Sequence, residues 1–183
     1  MYSNSHLSVL RQAMKEKGIK AYLMKTGDPH NSEEPAPYYS AERRFFCPFS
    51  GDNAYVIVTE KDAVLFSDGR FMLSANEEIK GTPYAFIELY RPGNPTPEEY
   101  LRKNGLYPLG VDFSYLSLTD LKELRKGGEV QDVSFLSLID DLPSLSHDPL
   151  WSFDSPAYQD YNHLEKLEIV RSAMKEKGVE ALL

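Results

Sequence analysis

Two short apolar runs frame the chain. Residues 55–59 read Tyr-Val-Ile-Val-Thr and residues 63–66 read Ala-Val-Leu-Phe. Both are β-branched and aromatic and of strand length. Glu60-Lys61-Asp62 between them is short and fully polar, the pattern of a hairpin connection. Each run is apolar on both faces, which predicts a hairpin lying inside a sheet covered on two sides. Asp68-Gly69-Arg70 then breaks the strand, with Asp68 as a cap and Gly69 at a sharp turn. Helical spacing follows over residues 71–79.

The pattern on either side extends this frame. Leu7, Leu10 and Met14 fall on one face of a helix predicted over residues 8–17, ended by a left-handed cap at Gly18. A first strand is predicted over 19–24. Gly27, Pro29, Pro35 and Pro37 mark residues 26–40 as a long irregular loop. A strand over 84–90 and a turn over 92–95 precede Thr96-Pro97-Glu98-Glu99, a strong helix start, and that helix ends near Gly105. Residues 109–113 form a strand. Residues 117–126 form a helix with Leu118, Leu121 and Leu124 inward, closed by Gly127-Gly128. Residues 130–135 form a last short strand. Strands alternating with helices predict an α/β domain, a mixed sheet flanked by helices. The hairpin is antiparallel and the helix-linked strands are parallel.

The helix–glycine–strand pattern of residues 11–23 returns at residues 171–183, with Ala-Met-Lys-Glu-Lys-Gly identical in both copies. Such a repeat points to a duplicated domain. Residues 1–143 are expected to form the first domain. Residues 144–161, dotted with proline and aromatics and without a clear period, form a linker. Residues 162–183 supply the first helix and strand start of a truncated second, similar domain. A strand placed there has no neighbour of its own, so the chain reads as a fragment.

Composition narrows the function classes. The 183 residues are 42% hydrophobic, with 12 Tyr and 9 Phe, enough for a real core. The net charge is -8 and no Lys/Arg-rich block occurs, which argues against nucleic acid and anionic membranes as partners. The apolar runs are strand-sized, and the polar first six residues lack the features of a signal peptide. Cys47 is the lone cysteine, so there is no disulfide framework and no cysteine zinc site. These features predict a cytoplasmic protein.

Candidate chemistry is sparse. His6, His30, His147 and His163 offer no helical i, i+4 pair. Asp28, His30, Glu33 and Glu34 lie in a proline-broken loop ill-suited to a rigid metal cage. Cys47, in an aromatic run beside Pro48, reads as a buried inert thiol. No Gly-x-Ser-x-Gly elbow occurs, and Gly51, Gly69 and Gly93 build no phosphate loop. A charged group remains: Asp28, His30, Glu42, Arg43, Arg44, Asp68 and Arg70. Its first reading is an ion-paired network fixing the long loop over the strand ends, with Arg70 suited to a two-pronged carboxylate pair.

Several spaced segments carry a resemblance. Pro48-Phe49-Ser50-Gly51-Asp52-Asn53-Ala54, the strand after it and Asp68-Gly69-Arg70-Phe71 resemble the N-terminal domain of Xaa-Pro aminopeptidases (aminopeptidase P), of the creatinase/prolidase superfamily. Asp28-Pro29-His30-Asn31-Ser32-Glu33 and Ser40-Ala41-Glu42-Arg43-Arg44 resemble that family's Asp-Pro-His-x-Ser-Glu and Glu-Arg-Arg segments. Pro48, Asp52, Asn53 and Ala54 depart from the family's Gly-Phe-Thr-Gly-Ser-Ala-Gly, and the loss of two glycines is expected to change that loop's backbone.

The resemblance implies a ribonuclease H-like fold and, in the three-domain type, two similar N-terminal domains. It implies a parent metallopeptidase, a hydrolase that releases an N-terminal residue preceding proline. In that family two divalent metal ions, usually manganese, are held by two Asp, a His and two Glu in a C-terminal domain. None of those ligand motifs matches a position here, so the resemblance implies no catalytic, cofactor-binding or metal residue in this chain. Implied partners are the chain's own catalytic domain, a second copy in a homodimer, and a peptide with proline at its second position. For Asp28, His30, Arg43, Arg44, Asp68 and Arg70 it implies a second reading, a cluster at the active-site mouth limiting substrate length. The alternative is an interaction module of a creatinase-like protein without peptidase activity. Prolidase or creatinase itself fits less well, because those enzymes have a single N-terminal domain.

Overall fold

The apolar runs become the centre of a six-stranded sheet in a computed structural model that describes residues 2–30, 32, 35–145 and 162–182. The strands are β1 Ala21–Lys25, β2 Tyr55–Thr59, β3 Ala63–Ser67, β4 Tyr84–Glu88, β5 Leu109–Val111 and β6 Val130–Asp132. Their spatial order is β4-β3-β2-β1-β5-β6. β2 pairs antiparallel with β1 and with β3, while β1–β5, β3–β4 and β5–β6 are parallel. Five strands therefore point one way, with β2 reversed among them. The expected hairpin is β2–β3, and it lies inside the sheet.

Among the described residues the helices are, in chain order, α1 Asn4–Glu16, α2 Pro37–Phe46, α3 Met72–Glu78, α4 Pro97–Lys103 and α5 Leu118–Arg125, with α6 His163–Glu176 near the end of the chain. The period of two in β1 decides the layers. Tyr22 and Met24 face one core with Leu7, Leu10 and Met14 of α1, Phe46 of α2 and Ala75 of α3. Ala21 and Leu23 face the other with Leu101 of α4 and Leu124 of α5. Thr96 and Glu99 close the expected capping box on α4.

The structure departs from these expectations at several points. Residues 37–46 form α2 inside the stretch expected to be loop. Pro37 opens it at a position where a missing N–H costs nothing, and its apolar residues, too few for a periodic signal, bury Ala41 and Phe46. β1 and β2, although linked through a helix, are antiparallel. Leu118, expected inward, is 77% exposed because it opens α5 one residue after the cap Ser117, and Leu124 carries the buried contact. Finally, β4 ends at Glu88 and β6 at Asp132, short of the predicted 90 and 135. β4 stops because Tyr90 turns to φ +63.

The chain divides into two compact units, Met1–Leu145 and Ser146–Leu183. Most of the linker expected over 144–161 lies outside the described residues. In the second unit α6 is capped by Asn162, which accepts from Leu164 N at 2.9 Å and Glu165 N at 3.0 Å. The sequence repeat extends to its end: Gly18 and Gly178 both sit at positive φ, +67 and +64. Ile19 N donates to Met14 O at 3.1 Å and Val179 N to Met174 O at 2.9 Å. The apolar face that α1 buries through Leu7 and Leu10 is exposed in α6 at Leu167 and Val170.

Candidate functional site

The carboxyl ends of the five co-directional strands share one rim of the sheet, the side on which open α/β sheets place their ligands. Most of the charged candidates gather there around residues 48–54, between α2 and β2. α2 supplies Arg43, a 2% exposed guanidinium whose Nη1 donates to Phe49 O at 2.8 Å and Nη2 to Gly51 O at 2.9 Å. Arg44 Nη2 reaches Ser50 O at 3.4 Å. Ser50 donates from its N and Oγ to Glu78, both at 2.7 Å. Gly51 has no room for a side chain, because a Cβ there would run into the Phe49 ring and lie 2.9 Å from Phe71 Cδ1.

The far end of the same loop meets the end of β3. Asn53 Nδ2 donates to Asp68 Oδ2 at 2.9 Å, and Ser67 Oγ donates to Asn53 O at 2.5 Å. Ala54 N donates to Thr26 Oγ1 at 3.2 Å, tying the loop to the end of β1. Asp68 caps the next turn, accepting from Arg70 N at 2.9 Å. It also takes the two-pronged pair, Arg70 Nε at 3.0 Å on Oδ1 and Nη2 at 2.9 Å on Oδ2. These hydrogen bonds, Arg70's first, hold the Asp68 carboxyl well below the usual carboxylate range. The Arg70 side chain is 75% exposed. Asn53 stands where the family pattern has a small residue, and here it has become the loop's link to Asp68.

Asp28 and His30 form a separate turn. Asp28 Oδ1 accepts from Ser32 N at 2.9 Å and His30 N at 2.8 Å, and the Ser32 bond above all lowers its pKa. His30 Nδ1 stands 4.0 Å from the same oxygen. Arg43, Arg44, Asp68 and Arg70 thus converge on one loop, and Asp28 and His30 do not join it through any of these bonds.

Glu42 plays a part that its sequence context conceals. It is 5% exposed, and both carboxylate oxygens lie 2.9 Å from the Tyr22 hydroxyl, which donates to them. Phe135 N donates to Oε1 at 2.6 Å. The carboxylate therefore joins α2, the centre of β1 and the segment after β6. Burial raises its pKa to about 7, with Asp112 adding to the rise and the two hydrogen bonds opposing it. Tyr22 was the readable signal: a tyrosine in the middle of an apolar strand needs a partner for its hydroxyl. Cys47 is fully buried, and burial pushes its thiol up to about 11, which keeps it inert.

Among the described residues no three His, Cys, Asp or Glu side chains gather in a way that could hold a metal ion. A two-metal centre therefore does not fit the described side chains of this chain. Nor is any described helix long and apolar enough to cross a membrane. What the rim offers is a braced loop, an exposed arginine and fixed carboxylates.

Comparison with known proteins agrees with this architecture. Residues 7–142 match the family described as the Creatinase/Prolidase N-terminal domain. A probable Xaa-Pro aminopeptidase P of Laccaria bicolor is 29% identical over 196 residues, covering 99% of this chain and 29% of its own length. A Xaa-Pro aminopeptidase of Caenorhabditis elegans is 30% identical over 177 residues, 90% of this chain and 28% of its own. Among solved structures, an X-prolyl aminopeptidase from Caenorhabditis elegans, described as a cytosolic enzyme with a di-nuclear active site, superposes with a TM-score of 0.72. It is 24% identical and covers 95% of this chain and 31% of its own. The N-terminal domain of a cytoplasmic peptidase from Mycobacterium tuberculosis gives 0.53 at 19% identity, covering 73% and 96%. At these identities the structures speak for the fold. The chain spans only 29% and 28% of the two curated relatives' lengths.

Proposed function

Since this chain belongs to the creatinase/prolidase N-terminal domain family, we propose that it is the non-catalytic N-terminal part of a metallo-aminopeptidase that removes a residue preceding proline. The observation that carries the proposal is the family match over residues 7–142 combined with near-complete coverage by a relative named for Xaa-Pro aminopeptidase activity. The catalytic metals, manganese in this reading, belong to a domain outside these 183 residues, in keeping with the di-nuclear site described for the nematode enzyme. Residues 1–143 are then a first domain and residues 162–183 the opening of a second, similar one. The matched left-handed caps at Gly18 and Gly178 support that reading. The protein works in the cytoplasm as a homodimer.

The rim formed by Arg43, Arg44, Asp68 and Arg70, with Asp28 and His30 on their neighbouring turn, faces the substrate entrance and limits peptide length. Its support is the exposure of the Arg70 arm above a rigid, ion-paired base. The 183-residue chain, freed of contaminating peptidases and given an Xaa-Pro peptide with manganese, should show no turnover. The longer protein should cleave the same peptide and stop on chelation. Turnover by the short chain overturns the proposal, and an inactive longer protein favours an interaction module instead. In the longer protein Arg70→Ala should change stability by at most about 1 kcal/mol, as for other exposed ion pairs. It should alter kcat/KM for long peptides more than for tripeptides. Equal kcat/KM at both lengths would leave Arg70 a purely structural partner of Asp68.

A further inference from the structure

Between the end of β4 and the start of α4 the chain turns over a groove of about 340 Å³, with Leu89 at its base and Tyr55, Tyr90, Pro92, Pro95 and Glu98 around it. That volume falls within the range of ligand-binding clefts. Tyr90 is 84% exposed and is held at φ +63, a left-handed conformation that tyrosine rarely adopts. Such strain persists only where the surrounding structure imposes it, and here it turns an aromatic ring out toward solvent. Tyr55 also lines the groove. Burial above all, with the charge of Asp120 and then Glu98 adding to it, pushes its phenol up to about 12, so the hydroxyl stays protonated at neutral pH.

The charges around the groove do not cancel. Arg91 is paired with Glu88 at 3.3 Å and Lys25 with Asp120 at 2.9 Å. Glu98 is half-buried and makes no ion pair or side-chain hydrogen bond among the described residues. Its neighbour Glu99, not Glu98, closes the α4 capping box. The groove therefore joins two tyrosine rings, proline walls and one uncompensated carboxylate.

We propose that this groove binds a proline-bearing peptide in the polyproline II conformation, with an arginine of the peptide paired to Glu98. Proline rings lie against tyrosine faces, and a polyproline II segment arrives already ordered, so little conformational entropy is lost on binding. Arginine matches the rest of the site: its planar fork suits a carboxylate, and its face stacks on tyrosine. The chain's net charge of -8 draws such a cationic peptide inward. The proposal is independent of the peptidase reading, because the groove lies wholly within residues 55–98.

The test titrates the ¹⁵N-labelled 183-residue chain with acetyl-Pro-Pro-Arg-Pro-Pro-amide, whose blocked ends remove any contribution from a terminal ammonium. The expected result is saturable shifts at the amides of Leu89, Tyr90, Asn94 and Glu98. Tyr90→Asn, which tolerates the left-handed backbone, and Glu98→Gln should each weaken binding about five- to tenfold, the loss of one stacked or charged contact. A Gly/Ser peptide carrying the same arginine should bind at least about tenfold more weakly, since it must be ordered on binding. Shifts that do not saturate, shifts centred elsewhere, or equal binding by the Gly/Ser peptide would overturn the proposal.

Discussion

Arg43→Met lowers the unfolding free energy of the first unit by about 3 kcal/mol, judged from the two charge-assisted hydrogen bonds it removes. Methionine keeps the aliphatic stem and most of the volume, so little of the loss comes from a cavity. What disappears is the donor pair to Phe49 O and Gly51 O, together with the guanidinium's contact with the Phe49 ring at 5.8 Å. Each bond to a charged donor contributes roughly 1.5–3 kcal/mol. The sum is discounted because the native arginine is itself desolvated: burial lowers its pKa, and its Nε has no hydrogen-bond partner. One buried and one half-buried carbonyl lose their partners, and the loop that positions Asn53 against Asp68 loosens. Urea unfolding measures the loss, and amide exchange over residues 48–54 should quicken with it. Arg44→Ala is the control, since its single bond to Ser50 O is 3.4 Å long and exposed. A loss below about 1 kcal/mol for Arg43→Met, with unchanged exchange, would show that the loop stands without the clamp.

The charge pattern in the sequence singled out Arg43 and Arg44 but not the partners they take. Arg43 and Arg44 were expected in an ion-paired network, yet both donate to backbone carbonyls of residues 49–51. Charge type is visible in a sequence, but whether a guanidinium meets a carboxylate or a carbonyl depends on how α2 packs. α2 itself was hidden by Pro35 and Pro37, which read as loop although Pro37 is the helix's first residue. The Asp68–Arg70 pair was legible because it is local, set by a two-residue spacing at a strand end. The same holds for β2–β3, for the glycine cap at residue 18 and for the α4 capping box. Contacts that join distant segments were not legible. Glu42 to Phe135 N spans 93 residues, and Asn53 to Asp68 crosses a hairpin. Leu118 marks the limit of periodicity at a helix's first turn, where a residue on the apolar face can still lie beyond the edge of the core.

Glu42 gives the first unit a pH dependence of unusual sign. Burial raises its carboxyl pKa to about 7 in the fold, against 4.5 for a glutamate in the unfolded chain. Between those values the folded state binds the proton more tightly than the unfolded chain, so stability falls as pH rises through this window. A gap of about 2.5 units corresponds to roughly 3 kcal/mol between pH 4.5 and 7, most of it lost by pH 8. Asp68 and Asp28, whose pKa values are lowered, act with the opposite sign but below the usual carboxylate range, so they leave this window to Glu42. Glu42→Gln isolates the effect. The amide oxygen can accept from Phe135 N, and the amide nitrogen can donate to the Tyr22 oxygen. The Tyr22 hydroxyl is then free to donate to Val133 O, now 3.3 Å away. Urea unfolding at pH 5 and pH 8 should show the native chain losing stability across the interval and the variant losing much less. At pH 8 the variant should be the more stable of the two. Taking the difference between native and variant removes what the histidines contribute over the same range. Parallel slopes for the two proteins would mean that the buried carboxylate is solvated well enough to ionise freely, against the closed packing of α2, β1 and the segment after β6.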